Sequence, residues 1–187
     1  MTIPARTSPD SESASTTEHH GSARMYDAPS FLETPRAITV RNQEFEQLVD
    51  QVSRQLAQLG LTATGRGEVR RAPNRCIVQL GALALTISWV RGRSETVPEG
   101  RLLVIEWDGI VGRGAERIPE RIAAAKPAAF EQAPATITKE AVLLAAATRA
   151  DDWRWRREDE PALGYSSAEL ATLCVESLQR RLDALAS

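Results

Sequence analysis

The chain has 187 residues, 42% of them hydrophobic and 26% charged, with a formal net charge of −2. That length favours one domain with tails over two full domains, and the composition is ordinary for a folded chain in water. The slightly acidic balance argues against coating nucleic acid or anionic lipid through bulk charge, and no stretch approaches the ~20 apolar residues that span a bilayer.

Residues 1–37 are predicted to be a disordered tail. The run "TSPDSESASTTEHHGSA" has almost no large apolar side chain, so it cannot offset the entropy of ordering its backbone. Met25, after this run, offers an alternative start, and Phe31 with Leu32 forms the first apolar patch. From Asn42, Phe45, Leu48, Val49, Val52, Leu56 and Leu59 recur at three- and four-residue steps against a charged face. This spacing predicts an amphipathic helix with one buried stripe, closed by Gly60 in a left-handed C′ position.

Beyond Gly67 the period changes to two. Cys76, Val78 and Leu80 share one face of a strand, and Leu83, Leu85, Ile87 and Trp89 one face of the next. Gly81-Ala82 supplies a two-residue turn between them, the alternative being one long strand with a bulge at Gly81. A short strand over 68–71, ended by Pro73-Asn74, is predicted before them. Another is predicted over 101–111, where Leu103, Ile105 and Trp107 alternate with Val104, Glu106 and Asp108. Pro119, Pro127 and Pro134 break residues 112–136 into a long connection with a turn or two of helix at "ERIAAAK".

Two helices are predicted to close the chain. Thr138 caps the first, Ile137 and Val142 staple it, and Leu143, Ala146, Ala147, Ala150 and Trp153 line its inner face. The second starts in "GYSSAEL", with Ser166 and Glu169 as a capping box and Tyr165 with Leu170 as its staple. Leu170, Leu173, Cys174, Leu178, Leu182 and Leu185 form its stripe. The predicted fold is an α+β domain over 38–187: an antiparallel meander of three to four strands packed by the N-terminal helix and the two C-terminal helices. Either Trp89 or Trp107 is predicted to join Leu85, Ile87 and Ile105 in its core.

The chemistry is bounded by what the folded region lacks. His19 and His20 are the two histidines, and none follows Thr34. That removes the commonest general base, metal ligand and nucleophile activator. Cys76 and Cys174 are far apart and read as small buried hydrophobes. Lys126 and Lys139 are the two lysines, so a Ser-Lys dyad has little to draw on. "TGRGEVRR" and "VGRGAER" lack the spacing of a phosphate loop and read as turn material. No catalytic, cofactor-binding or metal-binding residue is assigned, and no cofactor is expected.

Two clusters remain. Glu106 and Asp108 stand at i and i+2 and are the one nameable carboxylate pair, read as part of a solvated sheet face. "DDWRWRRED" interleaves Trp153 and Trp155 with Arg154, Arg156 and Arg157. Arg and Trp together stack bases and hold phosphates, but the flanking acids repel a nucleic-acid backbone. The run reads instead as a helix C-terminus with Trp153 in the core. Residues 61–125 hold ten Arg against seven acids, including Arg70, Arg71 and Arg75.

The abundance of Arg and Ala over Lys points to a GC-rich bacterial coding sequence, and the lack of an apolar leader or disulfide framework to the cytoplasm. The functional expectation is a non-catalytic accessory protein that binds another protein or its own copies, away from membranes. Nucleic-acid association through the Arg/Trp clusters and a carboxylate-dependent enzyme are the alternatives.

Overall fold

The computed structural model describes residues 30–62, 67–94, 96–112 and 135–187. Residues 1–29 of the predicted tail and 113–134 of the predicted connection, with its short helix, lie outside that set.

The first helix, α1 (Pro35–Gln58), begins at Pro35 rather than at Asn42. Thr34 caps it, its hydroxyl accepting from the Ala37 N–H at 3.3 Å, and Pro35 fits a first-turn position where no N–H is needed. Ala37, Val40 and Arg41 extend the buried stripe backward by more than a turn. Residues 30–37 therefore belong to the folded part: Phe31–Glu33 form a 3-10 turn, and Phe31 and Leu32 pack against the core. Gly60, at φ +71°, closes α1 as predicted.

The sheet holds seven strands, not three or four, each antiparallel to the next in chain order. They are β1 (Gly67–Ala72), β2 (Arg75–Leu80), β3 (Leu83–Val90), β4 (Arg101–Asp108), β5 (Thr136–Ala146), β6 (Arg154–Arg157) and β7 (Gly164–Tyr165). Gly81 takes φ +58° at the first position of the β2–β3 turn, as a two-residue hairpin demands.

β5 replaces the predicted helix over 138–150. Its run of Ala and Leu favours a helix locally, but pairing with β4 from Leu102↔Leu143 to Asp108↔Thr136 overrides that preference. Thr138, the predicted cap, sits at a bulge in this pairing and donates to the Glu106 carbonyl at 3.2 Å. One C-terminal helix remains, α2 (Ser167–Ala186), with the predicted capping box of Ser166 and Glu169. Its buried face runs through Leu170, Ala171, Cys174, Val175 and Leu178, because α1 and the sheet both press on it. Leu173 and Leu185 of the predicted stripe are exposed instead.

α1 and α2 lie side by side on one face of the sheet and bury Cys76, Val78, Leu85, Ile87, Trp89, Leu102, Val104 and Leu143. They run in the same general sense: Glu44 meets Ser167, and Gln55 meets Thr172. Among the described residues, no helix covers the other face.

Candidate functional site

β6 separates what the sequence interleaves. Strand alternation points Trp153 and Trp155 under the helices and Arg154 and Arg156 to the opposite face. Trp155 is fully buried and donates its indole N–H to Ser167 Oγ at 2.9 Å. Its ring meets Trp153 edge-on at 5.4 Å and Trp89 at 6.0 Å. The three indoles form one aromatic block in the core, so Trp153 and Trp155 offer no stacking platform to a base. The predicted C-terminal helical end at 151–159 is likewise a turn and a strand. Arg157 lies on the helix side, half-buried and paired with Asp159 and Glu160.

The carboxylate pair is placed differently from the predicted solvated face. Glu106 pairs with Leu85 across the sheet and is 5% exposed beneath α2. Ser177 Oγ donates to its Oε1 at 2.7 Å, Arg181 Nη1 to Oε2 at 3.3 Å, and Lys139 Nζ stands 3.7 Å from Oε1. The same Arg181 holds Asp108 through its other terminal nitrogen. These partners neutralise a buried charge that would otherwise be costly. Ser177 and Arg181 between them occupy both oxygens of the Glu106 carboxylate. Ser177 and Arg181 carried no signal in the sequence, since both read as the polar side of α2.

Both cysteines are buried and reduced. Burial pushes the Cys76 thiol up to about 11, helped by Glu46 against the opposing pull of Arg71. Burial first, then the charge of Glu106, pushes Cys174 up to about 12. Neither is a thiolate at neutral pH. Among the described residues, no group of three His, Cys, Asp or Glu side chains could hold a metal. Nor is any helix among them long and apolar enough to cross a membrane.

The helix-free face is what remains to be explained. One cross-strand row runs Arg75, Ser88, Leu103, Val142, and the next Arg70, Ile77, Thr86, Ile105, Glu140. Leu144 and Ala146 continue the face, opposite Arg156 and Arg154 of β6. Small residues, Ala84, Thr86 and Ser88, make a low central strand shielded by larger neighbours. Trp107, predicted as a core alternative to Trp89, stands on this face and donates to Thr86 Oγ1 at 3.1 Å. Beside it Val111 and Ala135 fold over Ile77 and Ala84 at one end only. Leu103, Ile105, Val142 and Leu144 are left half-buried in the middle.

The predicted arginine groups split across the sheet. Arg70 and Arg75 flank one side of this face, and Arg154 and Arg156 the other. Arg70 is anchored to the Val111 carbonyl at 2.5 Å. Arg71 belongs to the helix side, where it holds Asp50 and Ser53. Comparison with protein families, with curated proteins and with solved structures finds no match.

Proposed function

We propose that this protein is a non-catalytic accessory that binds another polypeptide through the helix-free face of its sheet. One observation carries the reading: the middle of that face bears Leu103, Ile105, Val142 and Leu144, where a sheet face meant for water carries polar residues. The arginines of β2 and β6 stand four strand spacings apart, roughly 19 Å. A helix of about 10–12 Å diameter fits between them, and acids on its flanks would meet the arginines. Stacking two copies face to face would set Arg against Arg, so a different, acidic partner suits the surface better than self-association.

The shared placement of Arg70, Arg75, Arg154 and Arg156 also supplies the positive track that the nucleic-acid reading needs. The apolar floor, Glu140 at the end of its row and the buried indoles weigh against it. The carboxylate-enzyme reading has less behind it, because Glu106 and Asp108 are both engaged by Arg181.

The test is a photo-crosslinking residue placed at Ile105, with the exposed Leu173 on α2 as the control position. The proposal expects one polypeptide captured from Ile105 alone, and lost in Leu103→Lys with folding intact. Salt-dependent DNA or RNA binding that disappears in an Arg154→Gln, Arg156→Gln variant would replace it with the second reading. Neither crosslink nor nucleic-acid binding would end both.

A further inference from the structure

β5 leaves a gap where it faces α2. Its residues on the helix side are Lys139, Ala141 and Leu143, paired with Glu106, Val104 and Leu102 of β4. Ala141 is the short one of the three and is only half-buried. Cys174, another small side chain, borders the same space from α2, and Leu173 beside it stays 42% exposed. The result is a recess of about 180 Å³, with Val104, Ala141 and Leu143 as its floor and Leu170, Leu173 and Cys174 as its wall. Burial keeps the Cys174 thiol protonated, so this lining is uncharged.

The two ends of the recess differ in charge. Arg157, which pairs across the sheet with Leu143, marks one end and is already engaged by Asp159 and Glu160. Lys139 and Arg180 mark the other, where Ser177 and Arg181 hold Glu106. Lys139 Nζ stands 3.7 Å from Glu106 Oε1, an oxygen that Ser177 already occupies at 2.7 Å, and the lysine side chain is 59% exposed. Arg180 spends its Nε on the Glu176 carbonyl of its own helix at 3.3 Å and makes no ion pair among the described residues. Arg181 divides itself between Glu106 and Asp108. Lys139, Arg180 and Arg181 thus face Glu106 and Asp108, leaving a single positive charge in excess at the end of an apolar recess.

We propose that this recess binds a small hydrophobic monocarboxylate, its apolar body against Ala141 and Cys174 and its carboxylate between Lys139 and Arg180. An apolar cavity of about 150 Å³ admits benzene. The observed 180 Å³ therefore suits a body of about six carbons and is far too small for a helix or a strand. The single excess charge matches a monoanion, whereas a phosphate dianion would be repelled by Glu106 and Asp108. The site lies across the sheet from the proposed polypeptide-binding face and does not depend on it.

The experiment titrates the isotope-labelled full chain with sodium hexanoate and follows its amide NMR shifts, with sodium benzoate, hexanol and sodium acetate as comparisons. Hexanoate and benzoate are expected to give saturable shifts clustered on Ala141, Leu173 and Cys174, with hexanol binding about tenfold more weakly and acetate not at all. Lys139→Gln and Arg180→Gln, both at exposed positions, are each expected to weaken hexanoate about fivefold and leave hexanol unchanged. Ala141→Leu fills the recess and is expected to abolish the binding of both; if that variant does not fold, the two exposed variants decide alone. Hexanol binding as tightly as hexanoate, or hexanoate binding unchanged in both glutamine variants, would overturn the proposal. So would shifts scattered over the whole surface, or no saturable shift with either acid.

Discussion

The two faces of the sheet are written in different alphabets. The covered face carries Leu, Val, Ile and three Trp side chains that interlock with α1 and α2. The helix-free face carries Ala, Thr and Ser on its central strand, branched aliphatics beside it and arginines on both flanks. A face that interlocks has no room for a partner. A low, smooth floor between charged flanks has no shape of its own to defend and can accept one. On the proposed reading, stability and binding belong to opposite sides of one layer, with β4 turning Leu102 and Val104 to the covered side and Leu103 and Ile105 to the other.

The largest effects belong to the covered face. Trp155→Ala removes the middle of the indole block and leaves a cavity; it is expected to cost about 3–5 kcal/mol, read as a lower urea midpoint. Phe45→Ala, on the α1 side of the same core, belongs in the same range. A loss below 1 kcal/mol at Trp155 would mean that the indoles fill space without supporting it.

Glu106 is the polar exception on that face. Glu106→Gln keeps the shape but leaves Arg181 without its buried anion, and a loss of about 1–3 kcal/mol is expected. Replacing both partners, Glu106→Leu with Arg181→Leu, is expected to recover most of it, because a buried ion pair rarely outperforms a packed apolar pair. If the double variant is no better than Glu106→Gln, the carboxylate has a role that this pairing does not explain.

Glu106 also shows where sequence reasoning fails. Leu102, Leu103, Val104 and Ile105 form an unbroken apolar run, so alternation alone cannot tell which parity faces inward. Trp107 outweighs Glu106 as an apolar residue and points to the wrong parity. The cross-strand pairs Trp89↔Leu102 and Ile87↔Val104 decide it, and they depend on residues far away in sequence. β5 failed for a related reason: Thr138 and the alanines of 145–147 satisfy helix rules locally, and the partner strand that overrides them lies beyond a long connection. The alternation in Trp153-Arg154-Trp155-Arg156 does state a strand, once a helix is no longer assumed around it. α1's stripe, the β2–β3 hairpin and the α2 cap were legible because each is settled by neighbours within a few residues.

The α2 cap gives a smaller effect with a pH signature. Ser166 Oγ accepts from the Glu169 N–H at 3.2 Å while Glu169 Oε2 accepts from the Ser166 N–H at 2.7 Å. Ser166→Ala is expected to cost about 0.5–2 kcal/mol. The backbone N–H of Ser166 first, then its hydroxyl, hold the Glu169 carboxyl below its ordinary value. A carboxylate depressed in the folded state adds stability above its unfolded pKa and loses it as pH falls through the folded one. Glu169→Gln is therefore expected to flatten the acid limb of the stability curve and leave the alkaline limb unchanged. A parallel shift of both limbs would remove the capping carboxylate from the account.

The sharpest comparison uses adjacent residues of one strand. Leu102 is fully buried under the helices, and Leu102→Ala is expected to cost about 2–5 kcal/mol. Leu103 points the other way and is half-buried among Ser88 and Val142. Its outer half already meets water, so Leu103→Ser forfeits only part of a leucine's burial and is expected to change stability by about 1 kcal/mol or less. The same substitution should remove the crosslink from Ile105, since the partner would need the apolar floor that the isolated fold does not. If instead Leu103→Ser costs as much as Leu102→Ala in the purified chain, something in the chain itself covers this face, and the division between a stabilising side and a binding side fails.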